Sequence, residues 1–286
     1  MDNATPSIWP YGQIGPLVSE RNMNKRAKKR FGQHFLHSQG IVDKILRVSH
    51  LSATDKVLEI GPGLGALTER LHSVGCALQL VELDRDMIDH IRERWPGISL
   101  HEGDACQIDW VNFLPGDGWK CVSNLPYNVG TGIVTDLVSL YPKFSRLVVM
   151  LQFEVAKRMT AKVGERNRGS LATFIDFFAE AEIAFRVPRG AFNPPPKVES
   201  AVLNITLRER PYVSVSQKEK LESLLMVLYS QPRKTIRNCL RTRLSSDEAD
   251  FLLQAAEVDP KRRSSTLQCR EIIKMLEKLE KISSLG

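Results

Sequence analysis

The sequence predicts an α/β protein with a largely parallel sheet, followed by a smaller region made only of helices. Two patterns lead to this prediction. From Leu51 to about Leu207, short apolar runs rich in β-branched residues alternate with amphipathic segments, as in a parallel sheet covered by helices. After Pro211 the strand pattern stops, and residues 216–282 show apolar positions at helical spacing that predict three or four helices.

Seven strands and six helices are predicted in the α/β region, each from its apolar run and the turn or cap residues around it. The strands are Lys56–Ile60, Ala77–Leu83, Ile98–Glu102, Lys120–Ser123, Arg146–Leu151, Glu182–Val187 and Ala201–Leu207. The helices are Gly40–Ser49, Leu64–Ser73, Arg85–Arg94, Gly130–Leu140, Glu154–Thr160 and Ser170–Glu180. Pro188–Ser200 joins the last two strands and is too short for a parallel crossover, so the final strand is expected to be reversed.

The composition is that of an ordinary folded protein. Of 286 residues, 42% are hydrophobic and 26% are charged, which excludes a disordered chain, a collagen-like repeat and a coiled-coil rod. The predicted division is a poorly ordered extension over residues 1–23, an α/β domain over residues 24–212 and a helical domain over residues 213–286.

Cysteine usage and hydropathy exclude several further classes. The five cysteines are scattered and contain no C-x-x-C pair, so neither a disulfide framework nor a metal site is indicated. No apolar run reaches the roughly 18 residues of a membrane span, and no secretory signal is present at the N-terminus. We therefore expect a cytoplasmic protein.

The formal net charge of +7 is concentrated near the two ends of the chain. Residues 21–30 carry six basic and no acidic residues, residues 31–215 carry 20 basic against 21 acidic, and residues 216–286 carry 14 against 10. This distribution favours a nearly neutral core with separate contacts to RNA, although solvated tails are the simpler alternative. The predicted RNA contacts are Lys28, Lys29, Arg30, Arg233, Lys234, Arg237 and Arg241. The three C-terminal arginines are spaced by four residues, which predicts that they share one helix face.

The glycine-rich segment Glu59-Ile60-Gly61-Pro62-Gly63-Leu64-Gly65 lies where the first predicted strand turns into a helix. Glycines at such a turn let the backbone approach a nucleotide ligand, although a tight turn without a ligand has the same pattern. Glu82 and Asp104 end the next two strands, where carboxylates can accept hydrogen bonds from ribose hydroxyls and from an adenine amino group. The pattern predicts an adenosine pocket and leaves a dinucleotide and S-adenosylmethionine both open.

The tetrapeptide Asn124-Leu125-Pro126-Tyr127 ends the fourth predicted strand and indicates the chemistry. An exocyclic amino group is a poor nucleophile because its lone pair is delocalised into the ring. The Asn124 side-chain carbonyl and the Leu125 backbone carbonyl, held by Pro126, offer two acceptors for its N–H bonds. Tyr127 offers a face on which an extruded base can stack. Standing alone, the tetrapeptide would more simply be a turn beside a core tyrosine.

Five further segments accompany this tetrapeptide in the order and spacing of one family. Together, the six segments are Arg30–Leu36, Glu59–Gly65, Glu82–Asp84, Gly103–Ala105, Asn124–Asn128 and Phe192–Ser200. From Lys25 to the C-terminus, the sequence resembles the ribosomal RNA adenine N6,N6-dimethyltransferases of the small-subunit, kasugamycin-resistance type. This resemblance implies a Rossmann-like methyltransferase sheet and S-adenosylmethionine as the methyl donor.

The resemblance also implies a role for each matching residue. The donor would be held by His34 and Leu36 at its methionine end, by the Gly61 backbone, by Glu82 at the ribose and by Asp104 at the adenine amino group. Asn124 would lie between donor and target, while Tyr127 and Phe192 would stack on the target adenine. One position departs from the family, because His34 stands where asparagine is common.

The predicted function is a monomeric RNA methyltransferase that transfers methyl groups from S-adenosylmethionine to N6 of adenine by direct displacement. By resemblance, two adjacent adenines near the 3′ end of small-subunit (16S-type) ribosomal RNA each receive two methyl groups, in a step of small-subunit biogenesis. A large-subunit enzyme of the macrolide-resistance type and a non-catalytic RNA-binding assembly factor are the alternatives. A dinucleotide-dependent oxidoreductase is disfavoured because it would give Asn124–Tyr127 no role.

Overall fold

A computed structural model describes residues 34–279, which form nine strands and eleven α-helices. The strands are β1 (Phe35–Leu36), β2 (Lys56–Ile60), β3 (Ala77–Glu82), β4 (Ser99–Glu102), β5 (Trp119–Asn124), β6 (Phe144–Gln152), β7 (Ala179–Val187), β8 (Phe192–Asn193) and β9 (Ser200–Leu207). The helices are α1 (Gln39–Ser49), α2 (Ala66–Val74), α3 (Arg85–Arg94), α4 (Trp110–Phe113), α5 (Gly130–Val138), α6 (Phe153–Met159), α7 (Ser170–Phe178), α8 (Lys218–Leu228), α9 (Ile236–Leu240), α10 (Ser246–Ala255) and α11 (Cys269–Leu279). None of these described helices is long and apolar enough to cross a membrane.

Seven of the strands form one sheet in the order β4-β3-β2-β5-β6-β9-β7. All neighbours from β4 to β6 pair in parallel, whereas β9 runs antiparallel to both β6 and β7. The predicted seven-stranded sheet with a reversed last strand is therefore confirmed. Because β2 has β3 on one side and β5 on the other, the strand order reverses at β2. The carboxyl ends of β2 and β5 border the crevice where such sheets bind ligands.

The predicted limits of the strands and helices differ from the observed ones by a few residues. β2 and α3 have the predicted limits, and the largest shift in a strand is at β7. That strand begins at Ala179, which the prediction includes in the preceding helix together with Glu180. Both residues pair instead with Leu207 and Thr206 of β9, so strand pairing overrides the local helical pattern.

A second, two-stranded sheet is not predicted from the sequence. β1 pairs antiparallel with β8, with Phe35 opposite Asn193 and Leu36 opposite Phe192. Strands of two residues carry no periodicity that could reveal them. This pairing makes neighbours of the segment before the main sheet and the segment between β7 and β9.

Four helices, α8 to α11, follow the main sheet, as predicted. Helices α8 and α11 contact α7, and buried residues of all four belong to the same hydrophobic core as Phe174 and Phe177 of α7. At the predicted boundary, residue 213, the architecture therefore changes from sheet and helices to helices alone. The hydrophobic core continues from one region into the other.

The prediction that Arg233, Arg237 and Arg241 share one helix face is wrong. Helix α9 contains only five residues, and the Thr235 side chain caps its N-terminus. Arg233 lies in the turn before this cap, after Pro232, and Arg241 lies just beyond the last helical residue. Proline and a capping threonine both favour a helix start, so the spacing of four spans a turn, a helix and a second turn.

Candidate active site

A cavity of about 340 Å³ opens at the carboxyl ends of β2, β3 and β5. Its size lies within the range of about 300–1,000 Å³ that is usual for ligand pockets. Eight of the predicted site residues line it: His34, Leu36, Gly61, Glu82, Asp104, Asn124, Leu125 and Tyr127. The fold thus brings the predicted donor and acceptor segments to one cavity.

The glycine turn between β2 and α2 forms one wall of this cavity. Gly61, Gly63 and Gly65 have φ angles of +70°, +55° and +82°, a region that favours glycine. A Cβ on Gly65 would lie 2.4 Å from the Trp95 ring, and one on Gly63 would lie 3.2 Å from the Phe35 ring. The turn is therefore packed tightly against these two rings at Gly63 and Gly65. Gly61 and Gly63 also line the cavity, where a ligand can approach the backbone.

The Glu82 carboxylate is buried at the end of β3 and binds the backbone around the cavity. Its Oε1 accepts hydrogen bonds from the N–H groups of Leu83 at 2.8 Å and Asp84 at 2.9 Å, and its Oε2 accepts from Gly63 at 3.2 Å. Burial raises the pKa of Glu82, and the three backbone donors oppose this rise. A carboxylate has about four acceptor sites, so Glu82 keeps capacity for ligand hydroxyls.

Glu59 is a second buried carboxyl group, in the strand that leads into the glycine turn, and no role is predicted for it from the sequence. It lies in β2 two residues before Gly61, is 1% exposed and accepts a hydrogen bond from the Thr68 hydroxyl at 2.8 Å. Burial, together with the nearby Glu82, raises the pKa of Glu59 to about 8, so it is largely protonated at neutral pH. An acidic residue within an otherwise apolar buried strand is the sequence signal that could have revealed it.

Asp104 follows β4, where it borders the cavity and caps a short helical turn. It lines the cavity, and its Oδ1 accepts a hydrogen bond from the Cys106 N–H at 2.9 Å, which caps the short helical turn after β4. Leu83, which also lines the cavity, is 49% exposed although it follows a buried strand. An exposed apolar surface together with a carboxylate suits a purine base with an amino group. Leu83 is not among the site residues predicted from the sequence.

Asn124 is the last residue of β5, and its side-chain amide is hydrogen-bonded to the residue before β1. Its Nδ2 donates to the His34 carbonyl at 3.3 Å, which leaves the amide oxygen to serve as an acceptor. Leu125 lines the cavity but is only 1% exposed as a whole residue, so its side chain is part of the core. The Pro126 carbonyl accepts from the Gly130 N–H at 2.9 Å, so the same turn starts α5.

Tyr127 and His34 meet beside the cavity, with ring centroids 5.5 Å apart. The Tyr127 hydroxyl lies 2.6 Å from the Ser200 hydroxyl, and burial raises the pKa of Tyr127. The His34 Nδ1 lies 2.8 Å from the Pro194 carbonyl, and because a carbonyl only accepts, this nitrogen carries a proton. The two rings are thus oriented by Pro194, which follows β8, and by Ser200, the first residue of β9.

The Phe192 ring does not line the cavity. Phe192 is 2% exposed in β8 and belongs to a buried cluster with Leu36, Val187 and Ala191. A stacking role for Phe192 therefore requires its ring to become accessible when RNA binds.

Comparison with known proteins identifies the family. The sequence profile described as ribosomal RNA adenine dimethylase matches residues 24–281. The chain belongs to the ribosomal RNA adenine dimethylase family. A ribosomal RNA small subunit methyltransferase A from Syntrophotalea carbinolica is 39% identical over 90% of this chain and 98% of that protein. The protein of the same name from Pseudomonas aeruginosa is 37% identical over 90% of this chain and 96% of its own length.

Solved structures agree with this family membership. A dimethyladenosine transferase from Plasmodium falciparum has a TM-score of 0.74 and 26% identity, over 87% of this chain and 98% of that one. A 23S rRNA methyltransferase, ErmE, has a TM-score of 0.63 at 22% identity, which shows likeness of fold alone. The family resemblance, the Rossmann-like fold and the activity of an S-adenosylmethionine-dependent ribosomal RNA adenine dimethyltransferase are therefore confirmed.

The chemical groups that line the cavity fit S-adenosylmethionine as the methyl donor. S-Adenosylmethionine carries ribose hydroxyls, an adenine amino group and a positively charged sulfonium centre. The cavity offers the Glu82 and Asp104 carboxyl groups and the apolar Leu83, and it has bare backbone at Gly61. In the described part of the chain, no group of three or more histidine, cysteine or acidic side chains could bind a metal ion.

The predicted RNA contacts differ in exposure and in whether the charged group is paired. Arg233, Lys234 and Arg241 are exposed. The Arg237 guanidinium instead makes two hydrogen bonds of 2.6 Å to the Asp250 carboxylate of α10, and this pairing lowers the pKa of Asp250. The remaining predicted contacts, Lys28, Lys29 and Arg30, and the predicted extension over residues 1–23 lie outside the described residues.

Proposed function

We propose that this enzyme dimethylates N6 of two adjacent adenines near the 3′ end of small-subunit ribosomal RNA, acting as a cytoplasmic monomer. The observation that carries the proposal is that one cavity contains both the glycine turn with Glu82 and the acceptor residues Asn124 and Tyr127. The choice of the small subunit is supported by relatives that are named small subunit methyltransferases and align with 84–90% of this chain. A role in small-subunit biogenesis follows from that substrate.

The proposed donor site uses the residues on the glycine-turn side of the cavity. When bound, S-adenosylmethionine supplies an electrophilic methyl group. We assign Glu82 to the ribose, Asp104 and Leu83 to the adenine, the Gly61 backbone to the middle of the donor, and His34 and Leu36 to its methionine end. The spare acceptor capacity of Glu82 and the exposure of Leu83 support these assignments.

The proposed acceptor site makes the adenine amino group nucleophilic without an ionising base. The Asn124 amide oxygen and the Leu125 carbonyl accept hydrogen bonds from the two N6–H groups, which draws the lone pair out of the aromatic ring so that N6 can attack the methyl carbon. The new N–C bond forms as the S–C bond breaks, the electron pair of that bond leaves with S-adenosylhomocysteine, and one N6 proton is lost to solvent. The orientation of the Asn124 amide, with its nitrogen on the His34 carbonyl, supports this role. Tyr127 stacks on the flipped base, and Phe192 completes the pocket after its ring becomes accessible.

The proposed RNA-binding surface lies on the helical domain, residues 213–286, and on the basic segment before β1. Arg233, Lys234 and Arg241 bind phosphates, since their charges are exposed. Lys28, Lys29 and Arg30 are further phosphate contacts, proposed from their basic sequence alone. We expect Arg237 to contribute less, because its guanidinium is held by Asp250.

The test is methylation of purified ribosomal subunits that lack dimethyladenosine, with labelled donor and mapping of the modified adenines. We expect label at two adjacent adenines near the 3′ end of small-subunit RNA and none in large-subunit RNA. Label in large-subunit RNA would support the macrolide-resistance type instead. Binding to the small subunit without transfer would support a non-catalytic assembly factor.

A further inference from the structure

The strands that carry the donor turn and the acceptor motif are joined at the cavity by a side-chain hydrogen bond. The backbone pairing of β2 with β5 ends at Leu58 opposite Cys121. In the same register, two residues further along, Ile60 faces Ser123. There the Ile60 N–H donates to the Ser123 hydroxyl at 2.8 Å. A side-chain oxygen thus takes the place of a backbone carbonyl at the last position before the cavity.

Ser123 adjoins both halves of the site but belongs to neither. Ile60, its partner, directly precedes Gly61 of the donor turn, and Ser123 itself directly precedes Asn124. Ser123 is 1% exposed and does not line the cavity, so it cannot touch a reacting atom. Its hydroxyl also lies 3.4 Å from the Cys121 thiol, which gives it a second hydrogen-bond partner.

The two segments that this bond connects are close together at the cavity. A Cβ built on Gly61 would lie 3.6 Å from the Pro126 ring of the acceptor motif. A small change in the spacing of β2 and β5 would therefore move the donor turn relative to the acceptor motif. Methyl transfer requires reacting atoms within about 3–3.5 Å of each other, and a displacement of about 1 Å can cost a hundredfold in rate.

We propose that Ser123 is a positioning residue for methyl transfer, whose hydroxyl sets the separation between the glycine turn and Asn124. The bridge joins the residue before Gly61 to the residue before Asn124, so it fixes the carboxyl ends of β2 and β5 relative to each other. Without it, the Ile60 N–H loses its buried acceptor and the spacing is no longer fixed. This inference rests on the proposed function of the cavity.

Single-turnover kinetics with labelled donor and small-subunit particles test the role of Ser123. In Ser123→Ala we expect the methyl-transfer step to slow by about tenfold or more, while the donor Kd changes by less than about threefold. Ser123→Thr keeps the hydroxyl and should restore most of the rate. The matched control is Ser139→Ala, which removes the hydroxyl of another buried serine, one that donates to the Asp136 carbonyl at the far end of α5. It should leave the rate unchanged.

A double-mutant cycle with Asn124→Ala separates positioning from a general loss of structure. If Ser123 acts through Asn124, Ser123→Ala should cause little further slowing once Asn124 is absent, while the losses of stability add. Full additional slowing would overturn the proposal, as would a wild-type rate in folded Ser123→Ala. If Ser123→Ala does not fold, Ser123→Cys replaces it in the same cycle, because a thiol is a weak acceptor. Absence of adenine methylation by the wild type would instead contradict the proposed function.

Discussion

The Tyr127 hydroxyl lies 2.6 Å from the Ser200 hydroxyl, so the aromatic residue of the acceptor motif is anchored to the first residue of β9. Ser200 is fully buried and is paired with Gln152 of β6 and Val187 of β7. Because strands on both sides fix Ser200, the Tyr127 ring has a defined orientation at the cavity. The hydroxyl orients the ring, and the face of the ring is available to a base.

This arrangement predicts different effects for two substitutions of Tyr127. Tyr127→Phe keeps the stacking face and should retain much of the activity, with a loss close to that of Ser200→Ala, since each removes one side of the same hydrogen bond. Tyr127→Ala releases the flipped base and should lose from several-fold to about a hundredfold in methyl-transfer rate. Single-turnover kinetics measure these rates. Equal damage from Tyr127→Phe and Tyr127→Ala would mean that the site depends on the hydroxyl rather than on the ring.

Loss of the Glu82 carboxylate should weaken donor binding. Glu82→Ala removes acceptors for the ribose and for the Gly63 N–H, and we expect a loss of about 1.5–3 kcal/mol in the free energy of S-adenosylmethionine binding. Isothermal titration calorimetry measures this change. The matched control is Glu102→Ala at the end of the adjacent β4, where the exposed carboxylate pairs with Arg92. Unchanged affinity in folded Glu82→Ala, or tight binding of NAD by the wild type, would contradict the assignment.

Asn124→Ala should act mainly on the chemical step. It removes an acceptor that matters most as the amino nitrogen attacks, so we expect the methyl-transfer rate to fall by about 10²–10³. A smaller loss of donor affinity is also expected, since Asn124 lines the same cavity. Rapid-quench measurements with labelled donor resolve the two effects. Asn112→Ala, which removes an exposed amide of α4 that is bonded to Asp109, is the control. Near-wild-type turnover in Asn124→Ala would refute the mechanism.

Glu59 should make the stability of the protein depend on pH. The pKa of Glu59 is raised from its usual 4.5 to about 8, so between these values the unfolded state releases a proton that the folded state keeps. The free energy of unfolding should therefore fall as pH rises from 4.5 to 8, by an amount on the order of a few kcal/mol, and should level off above that.

The Glu59→Gln variant tests this dependence. The introduced amide keeps an acceptor for the Thr68 hydroxyl but does not titrate, so the variant should lack this part of the fall in stability. Denaturant unfolding at several pH values between about 4.5 and 8.5 measures the difference. The same pH dependence in wild type and variant would show that Glu59 is ionised in the folded protein.

Salt-dependent binding should distinguish the exposed side chains of Arg233, Lys234 and Arg241 from that of Arg237, which is hydrogen-bonded to Asp250. Replacing Arg233, Lys234 and Arg241 with alanine should weaken binding to small-subunit RNA and reduce its salt dependence by about 0.7–0.9 of a log unit per lost phosphate contact. Arg237→Ala, in which the lost guanidinium is paired with Asp250, should change the salt dependence much less. Filter binding over a range of salt concentrations measures both. An unchanged slope in the triple variant would mean that these charges are merely solvated.

Most of the cavity could be predicted because its residues stand at the ends of parallel strands. Gly61, Glu82 and Asn124 follow or end three such strands, and the carboxyl ends of parallel strands meet at one edge of a sheet. The state of each side chain could not be predicted in the same way. The protonation of Glu59 and the burial of Phe192 depend on packing from distant parts of the chain.

The sequence by itself determined the order of the seven strands of the main sheet and the reversed last strand, and the family resemblance identified the donor and acceptor segments. The strand order and the reversal follow from local properties, which are side-chain periodicity and the length of a connection. Only the tertiary structure decided which side chains hold those segments together. The bonds of His34 to Pro194, Ile60 to Ser123 and Tyr127 to Ser200 join residues 160, 63 and 73 positions apart. Such pairs form because strands that are remote in sequence become neighbours in the sheet, and local spacing carries no information about them.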